Sequence, residues 1–337
     1  MTLTLSLCAD TYNVASGETE THSGLAESSR TVKSGAGTLV LSGNNSLVGL
    51  QTSAGTLKIN GGTTTITGGG GTDASTGTFA QEGGTTIVEG GATVNVIGSG
   101  YSMSEGGDLM VTNGVFDMTG GSGTGKEYLN AFYVSSPSRL IVQDEGVFKV
   151  PNLRVTQTGT ASLADDMGVF LNAGGKIYAD SIWVSGDRYG VVRHNGGTLY
   201  ATAADSFYNI STANVKSYVD AGGFHLVNDV GTIVLSCPFL SGTGANEPDG
   251  GMHFVCNNKT IRFDGNCRNS TYKGGVWLES KMTLQNFSGS DGVFGAVPSS
   301  PTNNIFIKGN VTIFGGNGSD NYTLHRNRNI AIDAGRR

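Results

Sequence analysis

Charge is scarce in this chain. Asp, Glu, Lys and Arg make up 14% of its 337 residues, against about a quarter in an average protein. Disordered chains carry high net charge and few β-formers. This one is weakly charged and rich in Val, Ile, Thr and Phe, which excludes that class and points to a β-rich fold. Basic clusters are confined to His325-Arg326-Asn327-Arg328 and Arg336-Arg337, and the net charge is −6. Nucleic-acid binding needs a positive footprint along the backbone, so no nucleic-acid partner is expected. No apolar run approaches the length of a membrane span. Apolar spacing with a helical period of 3.6 is nearly absent. The four cysteines, Cys8, Cys237, Cys256 and Cys267, form no C-x-x-C pair, which argues against zinc. No cofactor is expected.

The opening MTLTLSLCAD has no Lys or Arg and too short an apolar core for a signal peptide. Its Leu5-Ser6-Leu7-Cys8 is a poor lipoprotein site, because a large Leu precedes the Cys. The far end, Ala331-Ile332-Asp333-Ala334, stops in mid-pattern, as expected of a fragment of a longer chain.

What the chain has in excess is glycine, 54 residues, without the three-residue period of collagen. Gly-Gly pairs precede strand-like text at Gly61, Gly83, Gly106, Gly174, Gly196, Gly222, Gly250 and Gly274. Successive markers lie 22 to 28 residues apart, except for a gap of 68 between Gly106 and Gly174. Thr38-Leu39-Val40-Leu41 and Thr56-Leu57-Lys58-Ile59 show the unit in its simplest form. Each follows a Gly and places two apolar residues on one face, because side chains alternate across a strand.

A repeat of this length holding two or three short strands predicts coils of a β-solenoid. One coil cannot bury its apolar face alone, whereas stacked coils line up a continuous interior. Each strand then pairs in parallel with the coils above and below, about 4.8 Å apart. A β-sandwich also has short strands and Gly-rich turns, but does not usually repeat at a steady interval over most of a chain. Residues 1–31 are polar and irregular and are expected to form a first, poorly ordered coil or a cap over the open end. Residues 32–337 are expected to form the solenoid, with loop excursions near 203–219 and 286–304.

Val32 to Asn60 carries Lys33-x-Gly35-x-Gly37-Thr38-Leu39-x-Leu41-x-Gly43, then Asn44-Asn45, then Gly55-Thr56-Leu57. This resembles the autotransporter-associated β-strand repeat of large bacterial surface and secreted proteins. Val219 to Gly242 is similar to segments that often accompany the repeat. The first match covers about a tenth of the chain. The resemblance implies a right-handed parallel β-helix, export, and an extracellular or cell-surface passenger role. Members often end in an outer-membrane barrel or a sorting tail, and neither is visible in this sequence.

The same scaffold hosts polysaccharide lyases and hydrolases, whose sites are rows of Asp, Lys and Arg. Asp165-Asp166 is the only Asp pair and reads as a solvated turn. Asp187-Arg188 and Arg193-His194 lie one strand apart and read as polar surface. Gly120 to Lys126 mimics a phosphate loop, but Glu127 stands where Ser or Thr must reach the magnesium. Gly315 to Tyr322 fits a calcium-binding nonapeptide with Asp320 as the candidate ligand. Calcium in such rolls is shared between stacked copies, and the partial match at Gly68 to Asp73 is far away, so chance is preferred.

Cys237 and Cys267 sit at similar offsets from Gly222 and Gly250, which suggests stacked positions where a disulfide can form. Cys256 with Cys267 is the alternative pair, and buried free thiols are the third reading. Trp183, Tyr189 and Tyr200 are the candidate ligand-binding aromatics. Trp183 points opposite Ile182 and Val184, so it lies outside if they lie inside.

The sequence therefore predicts a non-enzymatic β-helix acting as a structural or adhesive rod, with polysaccharide or cell-surface glycan as its contact. The alternative is a polysaccharide-degrading enzyme on the same scaffold. End-to-end self-association is expected if residues 1–31 are disordered.

Overall fold

The structure is a computed structural model. It describes residues 10–68, 79–98, 102–104, 106–121, 131–135, 137–156, 167–183, 190–209, 215–243, 249–315 and 323–334. Among these residues the chain is almost entirely β, and the only helices are two short 3-10 turns, Gly265–Asn269 and Asp291–Phe294. No described helix is long and apolar enough to cross a membrane. The chain divides into two compact units, one formed by Met1–Ile141 with Glu145–Val150, the other by Val142–Asp144 with Pro151–Arg337.

In the first unit each repeat contributes a strand to each of three parallel ladders. One repeat supplies Arg30–Ser34, Thr38–Ser42 and Asn45–Leu47, and the next supplies Gly49–Thr52, Thr56–Asn60 and Thr63–Ile66. Each strand pairs in parallel with its counterpart: Thr31 with Leu50, Leu39 with Leu57, Leu47 with Ile66. The step along the chain is 18 residues from Thr38 to Thr56 and 29 from Thr56 to Thr85. That range is wider than the Gly-Gly spacing, because the segments between strands differ in length while the strands hold their register.

Alternation puts Leu39, Leu41, Leu57, Ile59, Val88, Leu109 and Val111 in the core. Phe79, Phe116, Phe132 and Phe148 pack as an interior cluster in which Phe79–Phe116, Phe116–Phe148 and Phe132–Phe148 centroids lie 5.1 to 5.3 Å apart. The glycine markers mark corners where backbone meets backbone. Gly84 has φ +65, and a Cβ there would lie 2.2 Å from the Gly55 carbonyl oxygen.

Residues 10–31 hold two strands, Asp10–Asn13 and Thr19–Ser23, paired in parallel with Arg30–Ser34 and Thr38–Ser42. Their core-side positions are polar. Asp10 and Tyr12 stand beside Thr31 and Lys33, and Glu20 and His22 beside the buried Leu39 and Leu41. Tyr12 donates to Glu27 at 3.1 Å, and burial, then Glu27, push its phenol up to about 12.

The Lys33 of the repeat-like motif is fully buried. Its Nζ donates to the carbonyls of Ser34, Gly35 and Ala54 at 2.7, 2.8 and 3.0 Å, so all three ammonium donors find acceptors at the corner. Burial lowers its pKa. Lys33→Met is expected to destabilise the protein by about 3 kcal/mol, because buried carbonyls lose a charged donor. Urea denaturation measures this, and a loss under about 1 kcal/mol would show that the cage is dispensable.

The second unit is built the same way. Lys176–Trp183, Thr198–Ala201, Phe224–Asn228, Met252–Val255, Val276–Leu278, Thr302–Ile307 and Arg328–Ile332 form one parallel ladder. Thr232–Ser236, Lys259–Phe263, Met282–Asn286 and Val311–Gly315 form another. Gly168–Asn172, Gly190–Asn195, Val215–Val219 and Phe239–Ser241 form the third. Where the loop at 203–219 was expected, the structure places Asp205–Asn209 and Val215–Val219. The strand pattern is hidden there because Phe207 and Tyr208 are both buried and the register shifts between Asp205 and Tyr208. The segment 286–304 is a loop around the Asp291–Phe294 turn up to Thr302, where a strand begins. At the last strand, Ile330 and Ile332 continue the core rows of Ile305 and Ile307 but are 42% and 58% exposed.

Candidate functional site

The ladder that starts at Lys176–Trp183 carries the richest outer face of the second unit. Its inward residues Ile177, Leu199, Leu226, Phe254 and Leu278 are fully buried. Because the strands are parallel and in register, like positions stack into rows on the outside. One row runs Lys176, Thr198, His225, His253, Trp277, Phe306. The next runs Tyr178, Tyr200, Val227, Val255.

The rings in the first row stack face to face. His225–His253, His253–Trp277 and Trp277–Phe306 each have centroids 4.5 Å apart and planes within 9° of parallel. Tyr178 and Tyr200 stack at 4.3 Å and 8°. Stacking at the strand spacing leaves the ring edges outward and uses the faces on neighbouring rings.

His253 is held from both ends. Nδ1 lies 2.7 Å from Glu279 Oε1 and Nε2 lies 3.1 Å from the Gly250 carbonyl oxygen. Both neighbours are oxygen acceptors, and Trp277 covers one face of the ring. His225 lies on its other face and places Nε2 3.0 Å from the Gly222 carbonyl oxygen. Burial lowers the His225 pKa, the Gly222 carbonyl raises it and His253 lowers it, with burial the largest.

Inside the same unit a polar chain crosses the core. His194 Nε2 is 3.0 Å from the Tyr208 hydroxyl, which is 3.0 Å from Ser217 Oγ. His194 Nδ1 is buried without a hydrogen-bond partner. Burial, then His225, lower the His194 pKa to about 3. Arg193 lies on the opposite side of the strand and holds Asp220 with two hydrogen bonds, 3.0 and 2.6 Å. Arg193 and His194 thus serve different faces.

The residues singled out from the sequence fall as follows. Trp183 lies outside and Ile182 inside, and the Arg154 guanidinium sits 3.6 Å over the indole. Tyr200 is the second member of the tyrosine stack. Tyr189, Asp320, Asp165, Asp166 and Asp187 lie outside the described residues. Cys237, Cys256 and Cys267 are buried free thiols. Burial pushes the Cys237 thiol up, with Cys267 the next cause. Cys267 is pushed up to about 12 by burial and donates to the Leu235 carbonyl at 3.0 Å. Thiols so far from ionisation are poor nucleophiles. Among the described residues no group of three His, Cys, Asp or Glu side chains is placed to hold a metal ion.

Sequence reasoning missed the ring row as a unit, although its signal is present. His225, His253 and Trp277 each lie three residues after the first glycine of a pair, at Gly222, Gly250 and Gly274. Identical offsets in stacked repeats place side chains in one row. No family model, no curated protein and no solved structure matches this chain.

Proposed function

We propose that the chain folds as a right-handed parallel β-helix and serves as a non-enzymatic structural or adhesive element of a bacterial surface or secreted protein, contacting glycans on its outer face. The observation that carries this reading is the register: three parallel ladders whose strands recur once per repeat. Such a wall gains stiffness by repetition and depends on no single site. The resemblance of Val32–Asn60 to the autotransporter-associated repeat supports the same setting outside the cell.

The outer charges support a scaffold over a catalyst. Asp108 is held by Arg139 at 2.6 Å, Asp117 by Lys149 at 3.0 Å and Asp220 by Arg193 at 2.6 Å. A glycosidase divides acid and base roles between two carboxyls facing one bond. These carboxylates are instead neutralised one by one.

The test is incubation of the protein with a panel of soluble polysaccharides, followed by sizing of the polymers. Unchanged chain lengths, with retention of the protein by at least one polymer, are expected. Shortened chains would replace this reading with a lyase or hydrolase on the same scaffold.

A further inference from the structure

Stacked rows consume ring faces, so a ligand that packs on an aromatic face needs a row that stops. The tyrosine row stops at Tyr200. Tyr178 covers one face of Tyr200 at 4.3 Å, and the other face looks along the row toward Val227 and then Val255. Valine ends far short of where a third ring would lie. Among the described residues no ring stacks on that face. The result is a step with an aromatic wall, Tyr200, and an apolar floor of two half-buried valines.

Polar groups border the step. His225 and His253 stand beside Val227 and Val255 in the adjoining row. Asp229 lies beyond Val227 and is exposed, with Asn257 Nδ2 donating to its Oδ1 at 2.5 Å. Asp229 is close enough to Tyr200 to raise its phenol pKa, after burial and Tyr178. Glu279, the residue after Leu278, lies one strand beyond Val255 and is held by His253 at 2.7 Å.

We propose that this step is a carbohydrate subsite for one neutral pyranose ring, its apolar face on Tyr200 and its hydroxyls donating to the Asp229 carboxylate. The proposal rests on the glycan-contact reading above and deepens it. Aromatic face plus apolar floor suits the axial C–H face of a sugar, and carboxylate acceptors suit its hydroxyl edge. The bordering Asp229 carboxylate repels a uronate, so the class is neutral sugars. The two ring rows also explain why the site is here: His253 and Trp277 carry a ring on both faces and offer edges only, whereas Tyr200 keeps a face.

Affinity electrophoresis of the full chain through gels containing a neutral β-glucan, a galactomannan or a polygalacturonate tests this. Retardation by a neutral polymer and none by the polygalacturonate is expected. Val227→Phe continues the stack over Tyr200 and fills the step. It is expected to weaken binding about tenfold, a change of 1.4 kcal/mol, with an unchanged circular dichroism spectrum. Tyr200→Ala is expected to weaken binding to a similar degree, and Tyr178→Phe to leave it intact. If both step variants bind like the parent protein, this subsite is wrong while glycan contact elsewhere stands. If no polysaccharide retards the parent protein, the glycan reading falls and the subsite with it. Preferential retardation by polygalacturonate would overturn the neutral-sugar assignment.

Discussion

Acidification from pH 7 to pH 3 is expected to cost the protein about 5 kcal/mol of stability through one side chain, His194. The residue occupies a core position between Leu171 and Val219 on neighbouring strands. It is 1% exposed, its Nδ1 has no hydrogen-bond partner, and Phe224 packs edge-on against the ring at 4.5 Å. A charge there has no counter-ion, so burial, aided by His225, brings the pKa down to about 3 from 6.5. An unfolded chain takes up the proton near pH 6.5 and the folded one does not. The unfolded state therefore binds more protons across this window, and stability falls with pH at about 1.4 kcal/mol per unit. The contribution is complete above pH 6.5 and exhausted near pH 3. Carboxylates titrate in the same range, so the readout is the difference between the parent protein and His194→Phe. That variant keeps an aromatic ring against Phe224 and leaves the Tyr208 hydroxyl its bond to Ser217. Urea denaturation at a series of pH values should show the two curves converging or crossing as pH falls. Parallel curves would mean that His194 is protonated without cost.

Arg328→Met is expected to cost about 3 to 5 kcal/mol and to open the segment 286–304 to proteases. The Arg328 side chain is fully buried, and its guanidinium organises that loop. Nε donates to Asp291 at 2.9 Å, Nη2 to the Gly295 carbonyl at 2.6 Å, and Nη1 to the carbonyls of Phe294 and Ala296 at 3.0 and 3.2 Å and to Asn304 Oδ1. Methionine fills the volume of the stem and leaves a carboxylate and four neutral oxygens without their donor. Arg328→Lys restores a charge without the planar fork and should recover only part of the loss. Thermal unfolding measures the first effect, and limited proteolysis maps the second. Unchanged cleavage between 286 and 304 would show that the other ties of the loop, Tyr272 donating to the Val293 carbonyl at 2.6 Å and Asn327 Nδ2 to the Pro298 carbonyl at 2.8 Å among them, hold it without Arg328.

Much of the architecture was legible in the chain. Gly-Gly pairs mark corners because a side chain at such a position as Gly84 would meet the backbone of the preceding repeat. Alternating text such as Thr56 to Ile59 declares which side is inward, since the strand period is two. Both signals are local and repeat, so they survive in a single sequence. The motif lysine, Lys33, was visible as a pattern but not as a reason. Its acceptors include Ala54, 21 residues away, and only the stacking of one repeat on the next brings them together.

Tertiary structure alone decided everything that depends on register between repeats. Residues 203–219 gave no clean alternation, because a shift in the ladder lets Phe207 and Tyr208 both be buried. Arg193 and His194 looked alike in the sequence and went to opposite sides of one strand, one to a carboxylate 27 residues on, the other into the core. The step at Tyr200 exists because two tyrosines happen to precede two valines in a row whose members lie 22 to 28 residues apart. Composition and period determine that strands form and that one face is apolar. Which side chains meet across repeats is set by loop lengths, and a change of one residue in a strand's register would turn each side chain to the other face.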